Sequence, residues 1–343
     1  MEKSLDRKLA RIVADPDCPD FILADAKDAD MAFGLAAPGV APGGDPARGP
    51  FRSIAEYRES IREIVRQQFV DIMLMSASTS EVLAIEEGLF LESPVTPAVR
   101  MNDTTDIWPA TGTGGYSRQP ALPFSTTTIA QARCGHVDEG RHDPGRGANL
   151  GLFSLTLNDD AHADRAMLAA YKDFRIEAER AGFRHFLEVF FPNAAAGSGP
   201  KSVARFLADH VVRALAGVPR PGRPIFLKIP YLGPEVTEQL AAYDRSVVVG
   251  ILGGAAGTTH DAFALVADAK RHGARVALFG RKINAAEHQL EFVRILRAVA
   301  DGQLAADEAV RAYHGELARH GIRPHRSLED DLVRKPLAAA YSG

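Results

Sequence analysis

Residues 225–279 hold the stretch that decides the fold. It opens with Ile225-Phe226-Leu227-Lys228-Ile229-Pro230-Tyr231, passes through Pro234 to Tyr243, reaches Val247-Val248-Val249-Gly250-Ile251-Leu252 and, after Ala262 to Arg271, ends on Val276-Ala277-Leu278-Phe279. Short β-rich runs alternate here with segments of helical period, the pattern of parallel strands joined by crossover helices. Pro234 suits the first turn of its helix. Thr258-Thr259-His260-Asp261 supplies a capping sequence for the next one. Val247 to Leu252 is almost uninterrupted apolar sequence, as expected of a strand covered on both faces.

The same rhythm continues toward the N-terminus. Phe186 to Phe191 and Leu152 to Leu157 flank a helical segment, Asp164 to Arg180, whose Met167, Leu168, Tyr171, Phe174 and Ala178 form one apolar stripe ending at Gly182. Further upstream, Phe21 to Leu23, Val70 to Met75 and Pro97 to Met101 are separated by helical patterns near Ile54 to Val65 and Ser80 to Phe90. Eight strand–helix units in 343 residues predict a (β/α)8 TIM barrel occupying residues 1–343 as one domain. Residues 1–20 add an N-terminal helix, 102–149 an insertion after the third strand, and 303–343 a C-terminal helical extension. A doubly wound open sheet is the alternative. It would normally carry a Gly-rich first turn, which Ala24-Asp25-Ala26-Lys27-Asp28 is not.

Composition narrows the function. A hydrophobic content of 46% with 24% charged residues describes a folded globular chain, and the net charge of −4 lacks the basic excess that accompanies nucleic-acid binding. Cys18 and Cys134 allow at most one disulfide, and no stretch approaches the roughly 20 apolar residues of a membrane span. The expected setting is the cytoplasm, with no membrane partner.

Barrel enzymes carry their chemistry at the C-terminal strand ends. Polar candidates there are Asp25 and Lys27, Ser76 and Ser78, Asn102 and Asp103, Asn158 and Asp159, Glu188, Lys228, Gly253-Gly254, and Gly280-Arg281-Lys282. Lys228 stands alone among apolar neighbours in a central strand. An amine that gives up its proton in such surroundings is the nucleophile a Schiff base requires. Glu188, in the adjacent strand, shares the inward phase of Phe186, Phe190 and Phe226, so the two are expected to meet. An ion pair and a proton-shuttling pair both fit that arrangement. The glycine pairs at the seventh and eighth strand ends, with Arg281, fit a phosphate cradle. Cys134, His136, Asp138, Glu139 and His142 match no zinc spacing, and Ser76, Ser78, Ser154 and Ser202 lack a nucleophile-elbow motif.

Phe226-Leu227-Lys228-Ile229-Pro230, Gly253-Gly254 and Phe279-Gly280-Arg281 together resemble the class I (Schiff-base) aldolase superfamily of barrels. The likeness is to its tagatose-1,6-bisphosphate, archaeal-type fructose-bisphosphate and deoxyribose-phosphate aldolase group, and it runs from about Phe183 to Val299. It implies a Schiff base on Lys228, a proton-transfer role for Glu188 like that of the fifth-strand glutamate in the tagatose-bisphosphate branch, and an assisting role for Asp25. Gly253, Gly254, Gly280, Arg281 and Lys27 form the expected substrate- and phosphate-binding set. The function so implied is that of a metal-independent aldehyde-lyase with no cofactor. Its substrate would be a small carbonyl compound, a sugar phosphate above all, and the protein a homo-oligomer. An acyl or ketol transferase using the same lysine, or a non-catalytic sugar-phosphate-binding regulator, are the competing expectations. The insertion is expected to form a cover or an interface at the catalytic face, with Trp108 and Tyr116 at its mouth.

Overall fold

The computed structural model describes residues 1–15, 17–45, 48–107, 118–138, 146–194, 200–254 and 257–334. Its centre is an eight-stranded parallel sheet: β1 Ile22–Lys27, β2 Ile72–Met75, β3 Thr96–Arg100, β4 Leu150–Thr156, β5 Arg184–Phe190, β6 Leu227–Lys228, β7 Gly250–Leu252 and β8 Val276–Phe279. Each strand pairs with its sequence neighbours, and β8 pairs with β1. Parallel bridges from Phe226 to Val248 and from Ile229 to Ile251 join β6 to β7 and close the ring. The fold is therefore an α/β TIM barrel, as the strand rhythm predicts.

Helices cover the sheet because each carries one apolar stripe and clear end signals. Ile54–Gln67 begins at a reciprocal cap between Ser53 and Glu56. Ala161–Ala181 buries Met167, Tyr171, Phe174 and Ala178 and stops at Gly182, whose left-handed φ of 61° suits glycine. Thr259–Arg271 starts at Thr258, whose hydroxyl accepts from the Asp261 amide while the Asp261 carboxylate accepts from the Thr258 amide. The segment expected as a plain helix near Ser80 to Phe90 is instead one turn of α-helix, Ala77–Ser80, running into a π-helical stretch, Glu81–Glu86. Helices Ala306–Arg319 and Leu328–Asp331 lie in the C-terminal extension.

The barrel interior is layered. Ile22, Ala24, Ile72, Leu74, Ala98, Leu152, Phe186, Phe226, Val276 and Leu278 form an apolar cluster inside the ring. Phe186 and Phe226 stack there with ring centroids 4.6 Å apart. The N-terminal helix Ser4–Ala14 adds Leu5 and Ile12 to this cluster. Lys3 Nζ anchors that helix by donating to the carbonyls of Phe90, Ser93 and Val95. The side chains one step further along the strands are charged, and that change of chemistry marks the site.

Within the insertion, Asp103–Thr104 pairs antiparallel with Pro123–Phe124, and Ile129–Cys134 is helical. Trp108 and Tyr116 lie outside the described residues. Cys18 and Cys134 are both buried and unbridged.

Candidate active site

A cavity of about 590 Å³ opens at the C-terminal ends of the strands. Its charged lining is Asp28, Arg100, Asp106, Glu188, Lys228 and Arg281, and Phe33, Ile107, Phe190 and Phe191 give it apolar walls. Register explains the charged floor. Lys228 lies opposite Glu188, and Glu188 opposite Ser154, so the three occupy one rung across β6, β5 and β4. Residues on one rung of a barrel project to the same side.

Lys228 Nζ stands 2.6 Å from Glu188 Oε1, with the two residues 6% and 1% exposed. The other carboxylate oxygen, Oε2, accepts from the Ser154 hydroxyl at 2.7 Å and from Arg100 Nη2 at 3.1 Å. Arg100 extends the network. Its Nη1 donates to Ser154 Oγ at 2.9 Å, and its Nε donates to Asp28 Oδ2. Asn102 braces Ser154 through both backbone groups, donating from Nδ2 to its carbonyl and accepting from its amide. Burial pushes the Asp28 carboxyl up, but the charges of Arg100 and Lys228 outweigh it and hold the group below the usual carboxylate range. Asp103, 3.6 Å from Arg100, is pushed up to about 6, because burial there exceeds the guanidinium's pull.

Gly253, Gly254, Gly280 and Arg281 line the same cavity, so these expected phosphate contacts stand together with Lys228 and Glu188. Two of the glycines are required sterically. A Cβ on Gly253 would fall 2.2 Å from the Phe279 ring, and one on Gly280 would fall 2.5 Å from the Ala26 carbonyl oxygen. Arg281 lies 5.9 Å from the centroid of the Phe33 ring, a cation–π approach. Lys282 is turned away from the cavity, donating to the Gly257 carbonyl.

Asp25 and Lys27 are not in the cavity. A first strand ending at Leu23 would make them loop residues, whereas β1 runs to Lys27 and alternates sides throughout. Ala24 packs in the inner cluster, and Ala26 and Asp28 line the cavity, so Asp25 and Lys27 face the outer helices. Lys27 Nζ lies 3.5 Å from Asp25, donates to Asn284 and Gln289, and stands 5.9 Å from the Tyr57 ring centroid. Both residues are wholly buried; desolvation raises Asp25 to about 6 and lowers Lys27, with each charge opposing the other's shift. The pair ties the barrel wall to its helices, and Asp28 is the first-strand acid that faces the cavity.

Arg100, Ser154 and Asp106 escaped the sequence reading as site residues. Arg100 carried a usable signal, because it is a lone charge inside the apolar run Pro97 to Met101, as Lys228 is in its own strand. Ser154 and Asp106 carried none, since a serine in a strand and an aspartate in a long loop are ordinary.

No protein-family model and no curated protein sequence matches the chain. Solved structures do. An archaeal fructose 1,6-bisphosphate aldolase aligns at 15% identity over 86% of this chain and 99% of its own, with a TM-score of 0.59. A fructose-bisphosphate aldolase from Slackia heliotrinireducens aligns at 16% identity over 90% of this chain and 89% of its own, with a TM-score of 0.62. An archaeal fructose-1,6-bisphosphate aldolase with its catalytic Lys bound to the carbinolamine intermediate aligns at 16% identity over 86% of this chain and all of its own, with a TM-score of 0.59. By strand order, closure and extent of superposition, this chain has the barrel fold of the class I, Schiff-base aldolases.

Proposed function

We propose that the protein is a class I aldolase-type lyase that cleaves or forms a carbon–carbon bond through a Schiff base on Lys228. The observation that carries this reading is the contact of 2.6 Å between Lys228 Nζ and Glu188 Oε1 on the floor of an open cavity. A carboxylate at that distance can take a proton from the amine and return it to the departing carbinolamine oxygen. Lys228 adds to the substrate carbonyl carbon, water leaves, and the resulting iminium accepts the electron pair of the breaking bond. Arg100 and Ser154 hold the second Glu188 oxygen and fix the carboxylate's direction.

The fold supports the reading, since an aldolase of the same fold carries its intermediate on a lysine. Arg281 lines the cavity beside Gly253, Gly254 and Gly280, where a guanidinium and close-approaching backbone suit a substrate anion. The substrate is a carbonyl compound carrying such an anion, a phosphorylated keto-sugar or a relative of one.

Borohydride reduction in the presence of ketone probes, dihydroxyacetone phosphate and pyruvate among them, tests this. A reduced adduct mapped to Lys228, with turnover lost in a folded Lys228→Arg protein, is the expected result. Arginine keeps the charge but forms no iminium. An active Lys228→Arg protein, with no adduct from any probe, refutes the reading.

A further inference from the structure

Cleavage of a β-hydroxy ketone moves protons at two places: the nitrogen end, where Lys228 becomes an iminium, and the β-hydroxyl, whose proton must leave as the bond breaks. Both Glu188 oxygens are already engaged, Oε1 with Lys228 and Oε2 with Ser154 and Arg100. Asp28 is bound to Arg100 Nε. Among the described residues, Asp106 is the one cavity-lining carboxylate with no cation paired to it. It accepts hydrogen bonds from the Thr156 hydroxyl, at 3.2 Å to Oδ2.

The position of Thr156 sets the height of Asp106. Thr156 lies two residues beyond Ser154 on β4, and two residues along a strand span about 7 Å toward the cavity mouth. That is roughly the reach of an iminium carbon, its α-carbon and the hydroxylated carbon, with a hydrogen bond beyond. A substrate fixed to Lys228 and extending outward therefore brings its β-hydroxyl to the level of Asp106.

We infer that Asp106 is a second acid/base of this site, accepting the β-hydroxyl proton of the Lys228-bound substrate. This rests on the Schiff-base reading of Lys228. The Asp106 carboxylate takes the hydroxyl proton, the O–H pair becomes the carbonyl of the departing aldehyde, and the carbon–carbon pair moves to the α-carbon. The iminium becomes a neutral enamine. In the synthetic direction, protonated Asp106 returns the proton to the new alkoxide. Burial raises this carboxyl, the Thr104 and Thr156 hydrogen bonds counter part of the rise, and the Glu188 charge adds to it, as suits a group that must pick up a proton.

The test separates the two ends of the reaction. Wild type, Asp106→Asn, Asp106→Glu and Thr156→Val are compared in borohydride trapping with dihydroxyacetone phosphate and with pyruvate, which have no β-hydroxyl to deprotonate. They are also compared in cleavage of fructose 1-phosphate, fructose 1,6-bisphosphate and a 4-hydroxy-2-oxo acid. Asp106→Asn is expected to trap within about twofold of wild type while its cleavage kcat falls ~10²–10⁴-fold. Asp106→Glu should recover part of that loss, and Thr156→Val should show a smaller loss of the same kind. Cleavage by Asp106→Asn at the wild-type rate overturns the assignment. So does a parallel fall in trapping and cleavage, which marks a structural residue, and so does a wild type that forms adducts yet cleaves none of the panel. Absence of any adduct in wild type removes the Schiff-base reading itself and this assignment with it.

Discussion

Replacing Arg100 by methionine tests whether the charged floor is held as the geometry indicates. Methionine keeps an unbranched side chain and removes the guanidinium, so packing is largely preserved. Arg100 is 6% exposed and faces three carboxylates, Asp28 through Nε, Glu188 through Nη2 and, less closely, Asp103 at 3.6 Å from Nη1. Glu188 retains Lys228 and Ser154 in the variant, whereas Asp28 loses the cation bound to it. Asp103 keeps the Thr104 amide and loses only the longer 3.6 Å contact, so the loss should be dominated by one broken buried pair, about 3–5 kcal/mol near neutral pH. The pH dependence follows from the two states of Asp28. In wild type its folded-state pKa is depressed, so it contributes stability above its unfolded pKa, about 4, and loses that contribution as the pH falls through the lower folded value. In the variant only the Lys228 charge is left to oppose burial, so the folded pKa rises from its wild-type level and less of that stability remains at neutral pH. The gap between the proteins should therefore widen from acid to neutral. Urea unfolding followed by circular dichroism at about pH 7.5 and about pH 4.5 measures it, with at least half of the gap expected to vanish at the lower pH. A loss below about 1 kcal/mol, or equal losses at both pH values, refutes the account of Asp28 and Arg100 as a buried pair.

Glu188→Gln should keep the fold and lower kcat about 10²–10⁴-fold, since the amide preserves shape but takes no proton; steady-state kinetics on any cleaved ketose decides it. Arg281→Ala should weaken kcat/KM for phosphorylated substrates by ~1.5–3 kcal/mol relative to unphosphorylated analogues, and equal losses for both would make Arg281 structural. Gly280→Ala places a methyl 2.5 Å from the Ala26 carbonyl oxygen. The strand ends must then separate, at a cost of about 1–3 kcal/mol with a raised KM, and an unchanged melting curve would contradict the close approach.

The barrel was legible in the sequence because its evidence is local and repeated. Each strand is a short apolar run, each helix has a stripe of fixed period, and residues 225–279 show three strands with their crossovers in one stretch. Lys228 and Glu188 were legible for a related reason: a single charge inside an apolar strand conflicts with its surroundings, and inward phase in adjacent strands brings two such conflicts together. Only the tertiary structure decided the rest. Where β1 ends determines which of Asp25, Lys27 and Asp28 faces the cavity, because side chains alternate along a strand and three residues earlier or later changes which of them still belong to it. The Asp25–Lys27 pair ends a charged stretch that looks like a loop, yet Tyr57, Asn284 and Gln289, distant in sequence, make room for it in the outer layer. Arg100 becomes the centre of the site through partners 72 and 88 residues away, and Asp106 meets the cavity through a threonine on the next strand. Period and polarity are properties of neighbours in the chain, so sequence determines them; a buried charge network is assembled from residues of distant strands, and only closing the barrel brings those together.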